Sequence, residues 1–230
     1  MVCCEKGQGL VEYALLISLV ALSVLLTLQV LGVSLGDVYC DITAAINLTS
    51  ACSPKAICED SFDSLEDWKT YFGSPVISGG QVCLSKGIQM SNTCSMNAAP
   101  KDYTVRLENA YLYQGDGYGI FFRTTYTKKG ANGYIFQYDP GLKAFVIKKW
   151  VNGKEIWQPI AKTLIPKDYP IYNTPHTVEV RVDGNTFTVF LDGVQILQAT
   201  DDTYTEGGIG LRTWDNTEFC ADQIAMLSNP

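Results

Sequence analysis

The chain has 230 residues, and its 24 acidic against 17 basic side chains leave a net charge of −7. With no basic cluster longer than a pair it is a poor partner for nucleic acid, and a single histidine, His176, without any Cys-x-x-Cys pair, leaves little for a zinc site or a His-based triad. Charged residues are only 18% and apolar ones 47%, so a packed core is expected instead of disorder.

From Tyr13 to Gly36 no residue carries a charge, and the run is long enough to cross a bilayer as a helix. A cleaved secretory signal, a plain membrane anchor and a pilin-type helix are the three readings. A secretory signal needs a basic start and an apolar run of about 7 to 15 residues. This run is longer, and Met1 to Gly7 holds one base and one acid.

The flank reads Lys6-Gly7-Gln8-Gly9-Leu10-Val11-Glu12-Tyr13-Ala14-Leu15-Leu16. It resembles the type IV pilins of the Flp or Tad type, whose processing motif is Gly, four residues, then Glu-Tyr. The resemblance implies that a prepilin peptidase cuts between Gly7 and Gln8. It also implies that residues 8–48 pack into a filament core. A carboxylate at the edge of an apolar helix is costly in lipid unless neutralised, and the free amine at Gln8 would pair with Glu12 to set register, beside Tyr13. Gly32 and Gly36 form a small-xxx-small pattern that lets helices approach closely. The helix is expected to run about 40 residues, or about 60 Å, before a linker at 49–55.

Cys3 and Cys4 would leave with a 1–7 leader, and the other six cysteines suit an oxidising compartment. Six cysteines allow 15 pairings; topology favours Cys40–Cys52, Cys58–Cys220 and Cys83–Cys94. Asn47-Leu48-Thr49 is a glycosylation acceptor sequence. No cofactor and no metal are expected, although Asp60 or Asp222 has the oxygen chemistry for calcium.

From Ala56 onward short alternating runs are separated by Gly, Asn, Asp and Pro turns, which predicts antiparallel strands. Strands are expected at 103–107, 119–124, 134–138, 144–150, 176–182 and 186–191. Asp183-Gly184 and Asp192-Gly193 between β-runs predict tight hairpins. The expected fold is α+β in separate parts, a long apolar N-terminal helix followed by an antiparallel β-sandwich over 56–230. The order of Asp60 to Trp68, Ser78 to Val82, Gly119 to Arg123, His176 to Val180, Phe190 to Gly193 and Gly207 to Leu211 resembles the concanavalin A-like, laminin-G-type jelly roll.

That resemblance admits lectins and glucanases alike. A retaining glycosidase needs two carboxyl groups about 5 Å apart, and no strand carries the alternating acids that would supply them, so no enzyme activity is expected. The run Glu59, Asp60, Asp63, Glu66 and Asp67 reads as solvated or structural. Sugar binding needs aromatic faces and planar polar groups, for which Arg123, Gln137, Tyr138, Trp150 and Trp157 are the candidates. The sequence reading is therefore a structural pilin subunit that polymerises with itself into an extracellular adhesive pilus, after a membrane-bound precursor stage and with help from the pilus assembly machinery. The alternatives are a membrane-tethered adhesin that binds glycans or cell surfaces, and a minor pilin or pseudopilin of a secretion system.

Overall fold

The computed structural model describes residues 12–20, 54–214 and 216–229. The chain divides near residue 53, and its C-terminal unit is Pro54–Asn229. Of the N-terminal part, residues 12–20 are helical with every side chain exposed. No helix among the described residues is long and apolar enough to cross a membrane, and of the helix expected over 8–48 only 12–20 falls within the described residues. Gly7, Gln8, Gly32, Gly36, Cys40, Asn47 and Cys52 lie outside the described residues.

The C-terminal unit is nearly all strand. In chain order it comprises β1 (Ala56–Asp60), β2 (Trp68–Phe72), β3 (Val76–Ser78), β4 (Gln81–Ser85), β5 (Gln89–Asn92), the short helix α1 (Thr93–Ala98), β6 (Tyr103–Gln114), β7 (Tyr118–Thr127) and β8 (Gly130–Asp139). Then come β9 (Ala144–Val151), β10 (Lys154–Glu155), β11 (Ala161–Leu164), β12 (Pro175–Asp183), β13 (Thr186–Leu191), β14 (Val194–Thr200), β15 (Gly208–Thr213), β16 (Glu218–Ala221) and β17 (Gln223–Leu227). They form two sheets. The first runs β14-β13-β12-β6-β16-β4-β3, with β17 sharing the edge of β6 and β1 pairing β17; the second runs β10-β9-β8-β7-β15-β5-β2, with β11 on β9. This is a jelly-roll sandwich, the sheet part of the expected fold.

Two tight turns set the register of the first sheet, Asp192-Gly193 as expected and Gly184-Asn185, one residue on from the expected Asp183-Gly184. Asp192 and Gly193 both take positive φ, 52° and 78°, between the paired Leu191 and Val194, the mirror-image turn a two-residue hairpin requires. Gly184, at φ 53°, makes the neighbouring turn between Asp183 and Thr186. Val178, Val180 and Val182 of β12 and Phe187, Val189 and Leu191 of β13 then all point inward. They meet Phe122, Tyr134 and Phe136 from the second sheet; Phe122 and Phe187 lie edge to face at 5.0 Å. Each such fully buried side chain contributes about 1.5–3 kcal/mol.

The disulfides correct the expected pairing. Cys58 bonds Cys94 and Cys83 bonds Cys220, in place of Cys58–Cys220 and Cys83–Cys94. The cause is topological. The strand that pairs with β1 is β17, not β16, and Cys220 of β16 stands directly opposite Cys83 of β4. Cys58 is left to reach Cys94 on α1, a helix that the sequence reading did not anticipate. Asn92 caps this helix, its Oδ1 accepting from the Ser95 amide at 2.9 Å.

The acidic run is mostly solvated, with Glu59, Asp63, Glu66 and Asp67 exposed. Asp60 braces a turn, accepting from the Phe62 amide at 2.7 Å and from Trp68 Nε1 at 2.6 Å. Asp222 accepts from Asn109 Nδ2 at 2.6 Å and from Gln81 Nε2.

Candidate functional site

Side chains directly opposite one another on paired strands share a face. On the outer side of the second sheet the register lines up Gln89, Arg212, Gly119, Gln137, Val146 and Lys162, one from each of β5, β15, β7, β8, β9 and β11. A neighbouring row holds Phe121, Ile135 and Lys148. The outer face is therefore built from five planar or cationic polar groups, Gln89, Arg212, Gln137, Lys162 and Lys148, set among apolar ones. Gly119 leaves its place in the row without a side chain, and a Cβ there would come within 2.5 Å of Ile135 Cδ1.

One carboxylate organises this face. Asn152 and Gly153, both at positive φ, turn the chain from β9 into β10, which places Glu155 opposite Trp150. Glu155 accepts from Gln137 Nε2 at 2.5 Å, from Lys148 Nζ at 2.6 Å and from Arg212 Nη1 at 3.3 Å. It bridges β8, β9 and β15, so three side chains far apart in sequence are fixed to one point. Lys148 is almost fully buried, and a cation in that position requires such a partner.

The Arg212 guanidinium lies 4.6 Å from the Trp150 ring and 5.4 Å from the Trp214 ring. The two indoles and the ion pair together immobilise a planar donor group. Trp150 packs edge to face on Phe121 at 5.4 Å, in a small second core with Ala131 and Ile135 on this outer side. Trp150 Nε1 and Gln137 Oε1 are buried and find no partner among the described residues. Further along, Tyr71 stacks on Tyr126 at 3.8 Å, and Gln89 Nε2 donates to the Tyr126 hydroxyl at 3.1 Å. Burial pushes the Tyr126 phenol well above its ordinary pKa, so it stays neutral.

Two depressions open on the face, one on either side of Glu155. The first, about 320 Å³, is lined by Phe72, Gln89, Trp150, Arg212 and Trp214 among others. The second, about 280 Å³, is lined by Leu142, Val146, Lys148, Trp157 and Lys162 among others. Trp157 is 85% exposed, with Lys148 Nζ 5.9 Å from its ring. A large indole held out to solvent has no packing explanation among the described residues.

Of the five residues expected to bind sugar, Gln137, Trp150 and Trp157 fall on or beside this face. Tyr138 is fully buried between the sheets, donating to the Ile171 carbonyl at 3.1 Å. Arg123 sits at a bulge with φ 44° and is 3% exposed. Its guanidinium donates to the Lys101 and Tyr204 carbonyls and to Asp102, which ties β7 to those loops. Arg212, Trp214, Lys148, Glu155 and Lys162 were missed. The period-two alternation inside β9 and β15 marks Lys148 and Arg212 as sharing their strands' outward side, but only the pairing shows that the two strands meet Glu155.

His176, the sole histidine, is buried away from this face. Its Nδ1 is 2.7 Å from Asp192 Oδ2 and its Nε2 is 3.0 Å from the Pro170 carbonyl, so both ring nitrogens are occupied in bracing the β12 end.

The fold and this face define a two-sheet jelly roll with an aromatic, polar outer groove. The chain belongs to the 3-keto-alpha-glucoside-1,2-lyase-like domain family, whose model matches residues 58–222. It is 27% identical over 124 residues to the levanase of Bacillus subtilis strain 168, an alignment that takes in 53% of this chain and 17% of the levanase. Among solved structures it is similar to the carbohydrate binding module CBM66 from Bacillus subtilis, with a TM-score of 0.58 and 23% identity over 70% of this chain and 96% of that one. A prokaryotic beta-1,3-1,4-glucanase derived from a mouse hindgut metagenome superposes with a TM-score of 0.57 at 12% identity, over 75% of this chain and 99% of the other. At these identities the structural likenesses show the fold.

The family match overturns the pilin reading. That reading rested on the short motif from Lys6 to Leu16 and on hydropathy, whereas the matched region covers most of the chain and is a domain of another kind. With it fall the self-polymerising pilus and the minor-pilin alternative; Gly7, Gln8, Gly32 and Gly36, expected in processing and assembly, lie outside the described residues, and Glu12 and Tyr13 stand on the exposed helical stretch 12–20. The laminin-G-type assignment gives way to the matched family, while the jelly-roll architecture stands.

Proposed function

We propose that this protein is a carbohydrate-binding domain that holds a glycan across the outer face of its second sheet. The observation that carries the reading is the pair of depressions on that face, one built on Trp150, Arg212 and Trp214 and the other on the exposed Trp157, joined through Glu155. The apolar C–H face of a sugar ring packs against an indole, and its hydroxyls bond to fixed planar groups. The likeness of the fold to a carbohydrate binding module, and the partial match to a levanase, support the same reading.

Binding without turnover is part of the proposal. The carboxylate on the face, Glu155, has both oxygens committed to two cations and an amide. Asp139, whose pKa burial raises, caps the β8–β9 turn through the Leu142 amide at 2.7 Å. The disulfides Cys58–Cys94 and Cys83–Cys220 support an extracellular, oxidising location.

The test is a glycan array probed with the full chain, alongside an assay for elimination from 3-keto-α-glucosides. Binding to at least one polysaccharide with no turnover is expected. An array with no signal would remove the reading, and turnover would replace it with an enzyme.

A further inference from the structure

We infer that the protein carries a second sugar site, at the loop end of the sandwich, which takes a single neutral sugar ring. It is independent of the outer face. A cavity of about 340 Å³ opens between the α1–β6 loop, the β12–β13 turn and the β14–β15 loop. Its lining includes Lys101, Asp102, Arg123, Asn185, Asp202 and Thr205, and shares no residue with either depression of the outer face.

The floor of the cavity is fixed. Arg123, 3% exposed, sits at a β-bulge with φ 44°, a conformation that its surroundings must enforce. Its amide donates to the Tyr103 hydroxyl at 2.6 Å, and its guanidinium donates to the Lys101 carbonyl at 2.7 Å and the Tyr204 carbonyl at 3.2 Å. Gly207 lets the β14–β15 loop close onto the bulge, since a Cβ there would come within 2.6 Å of the Arg123 carbonyl carbon. The walls are tied to one another as well. Asp102 Oδ1 accepts from the Gly184 amide at 2.8 Å, and the Asp201 amide donates to the Asn185 carbonyl at 3.0 Å. Strained backbone of this kind clusters at binding sites, where it preorganises the ligand's partners.

The rim is left open. Lys101 Nζ, Asp102 Oδ2, the Asn185 amide group, the Asp202 carboxylate and the Thr205 hydroxyl have no hydrogen-bond partner among the described residues. Two cations stand against two carboxylates in the lining, so a charged ligand would meet repulsion as well as attraction. Lysine supplies donors, the aspartates supply acceptors, and Asn185 and Thr205 supply both. Neighbouring sugar hydroxyls each donate and accept, and a mixed lining answers both. No aromatic side chain lines the cavity, whereas the outer depressions are built on indoles. A ring is therefore gripped here by its hydroxyls instead of being stacked on its face. That suits one ring with most of its hydroxyls unlinked, free or at the end of a chain, in a cavity near the small end of the ligand-pocket range.

The experiment is proton–nitrogen NMR of the labelled full chain, titrated with the methyl glycosides of glucose, galactose, mannose and fructose. The amides of Gly184, Asn185 and Thr205 report on the cavity, and that of Trp157 reports on the outer face. At least one glycoside is expected to shift the three cavity amides saturably. Asn185→Ala and Asp202→Ala, both at exposed positions, should each weaken that binding about fivefold or more, with no change in melting temperature. Trp157→Ala should leave it unchanged. Two further results would both support the site: binding kept when the same ring ends an oligosaccharide identifies a chain end, and binding lost there identifies the free sugar. Shifts at Trp157 without shifts at the cavity amides would overturn the second site and leave the outer face standing. Sodium acetate shifting the cavity amides as strongly as any glycoside would overturn the neutral ligand. No shift at the cavity amides with any glycoside would overturn the inference, whatever the glycan array shows for the outer face.

Discussion

The two sheets of the sandwich are built on different terms. In the first, β12 and β13 alternate strictly, with valine and phenylalanine inward and Glu179, Arg181 and Thr188 outward. In the second, β7, β8 and β9 are buried on both sides, because Phe121, Ile135 and Trp150 form a second apolar layer beneath Glu155 and the turn that carries it. An antiparallel sheet with one solvated face needs polar residues there. Where both faces are apolar, something has been placed on the outer one, and here it is a groove with charged and planar groups at its floor. The ion pairs differ in the same way. Arg106–Glu179 lies on the open sheet with the arginine side chain 43% exposed, while Lys148–Glu155 has its lysine side chain at 7%.

Breaking the layer that the sheets share is expected to cost most. Phe122→Ala removes a fully buried ring packed against Tyr134 and Phe187, and should lower unfolding free energy by about 3–5 kcal/mol in urea titration. Replacing Cys83 and Cys220 together by serine opens a link between residues 137 apart in sequence, at a cost of about 2–5 kcal/mol. The ion pairs sharpen the contrast. Glu155→Ala strands the buried Lys148 cation and should cost about 1–3 kcal/mol, short of the figure for a fully enclosed pair, whereas Glu179→Ala should cost less than about 1 kcal/mol. Smallest of all, Trp157→Ala should leave stability within about 0.5 kcal/mol while weakening glycan binding about tenfold.

Acid should also tell the regions apart. Burial by itself would raise the Asp201 carboxyl, but Lys149, Thr203 and Tyr134 bond to it and hold it well below the usual carboxylate range. Because its folded pKa is depressed, the stability it contributes is present above the unfolded value of about 3.9 and is lost as pH falls through the lower folded one. Wild type should therefore lose melting temperature steeply below about pH 4, and Asp201→Asn should start lower and fall less.

What was legible in the sequence follows from local causes. The strands from Tyr103 to Leu191 and both hairpins were readable, the first to within one residue, because β-branched and aromatic alternation and positive φ are set within a few residues. Trp150, Trp157 and Gln137 could be chosen by chemistry alone, yet Tyr138, one residue from Gln137, falls on the opposite side of the same strand. Period two decides this only once the inward side is known. Arg212, Lys148 and Glu155 were unreadable as a group, since β15, β9 and β10 meet through pairing between distant segments. The disulfides failed for the same reason, and Thr93–Ala98 is too short for a helical period to show. The N-terminal motif misled because hydropathy and a short match speak to their own residues and not to the domain that follows.

The most direct test of the central claim, that the outer face of the second sheet holds the glycan, compares two variants on the two sheets. Trp157→Ala alters that face, and Arg181→Ala alters the outward side of the first sheet, where Arg181 lies 5.1 Å from the Phe190 ring. Affinity electrophoresis of the full chain on the best polysaccharide from the array should show wild type and Arg181→Ala retarded alike and Trp157→Ala needing about tenfold more polysaccharide for the same retardation. Retardation lost in Arg181→Ala and kept in Trp157→Ala would place the binding surface on the other sheet and contradict the account.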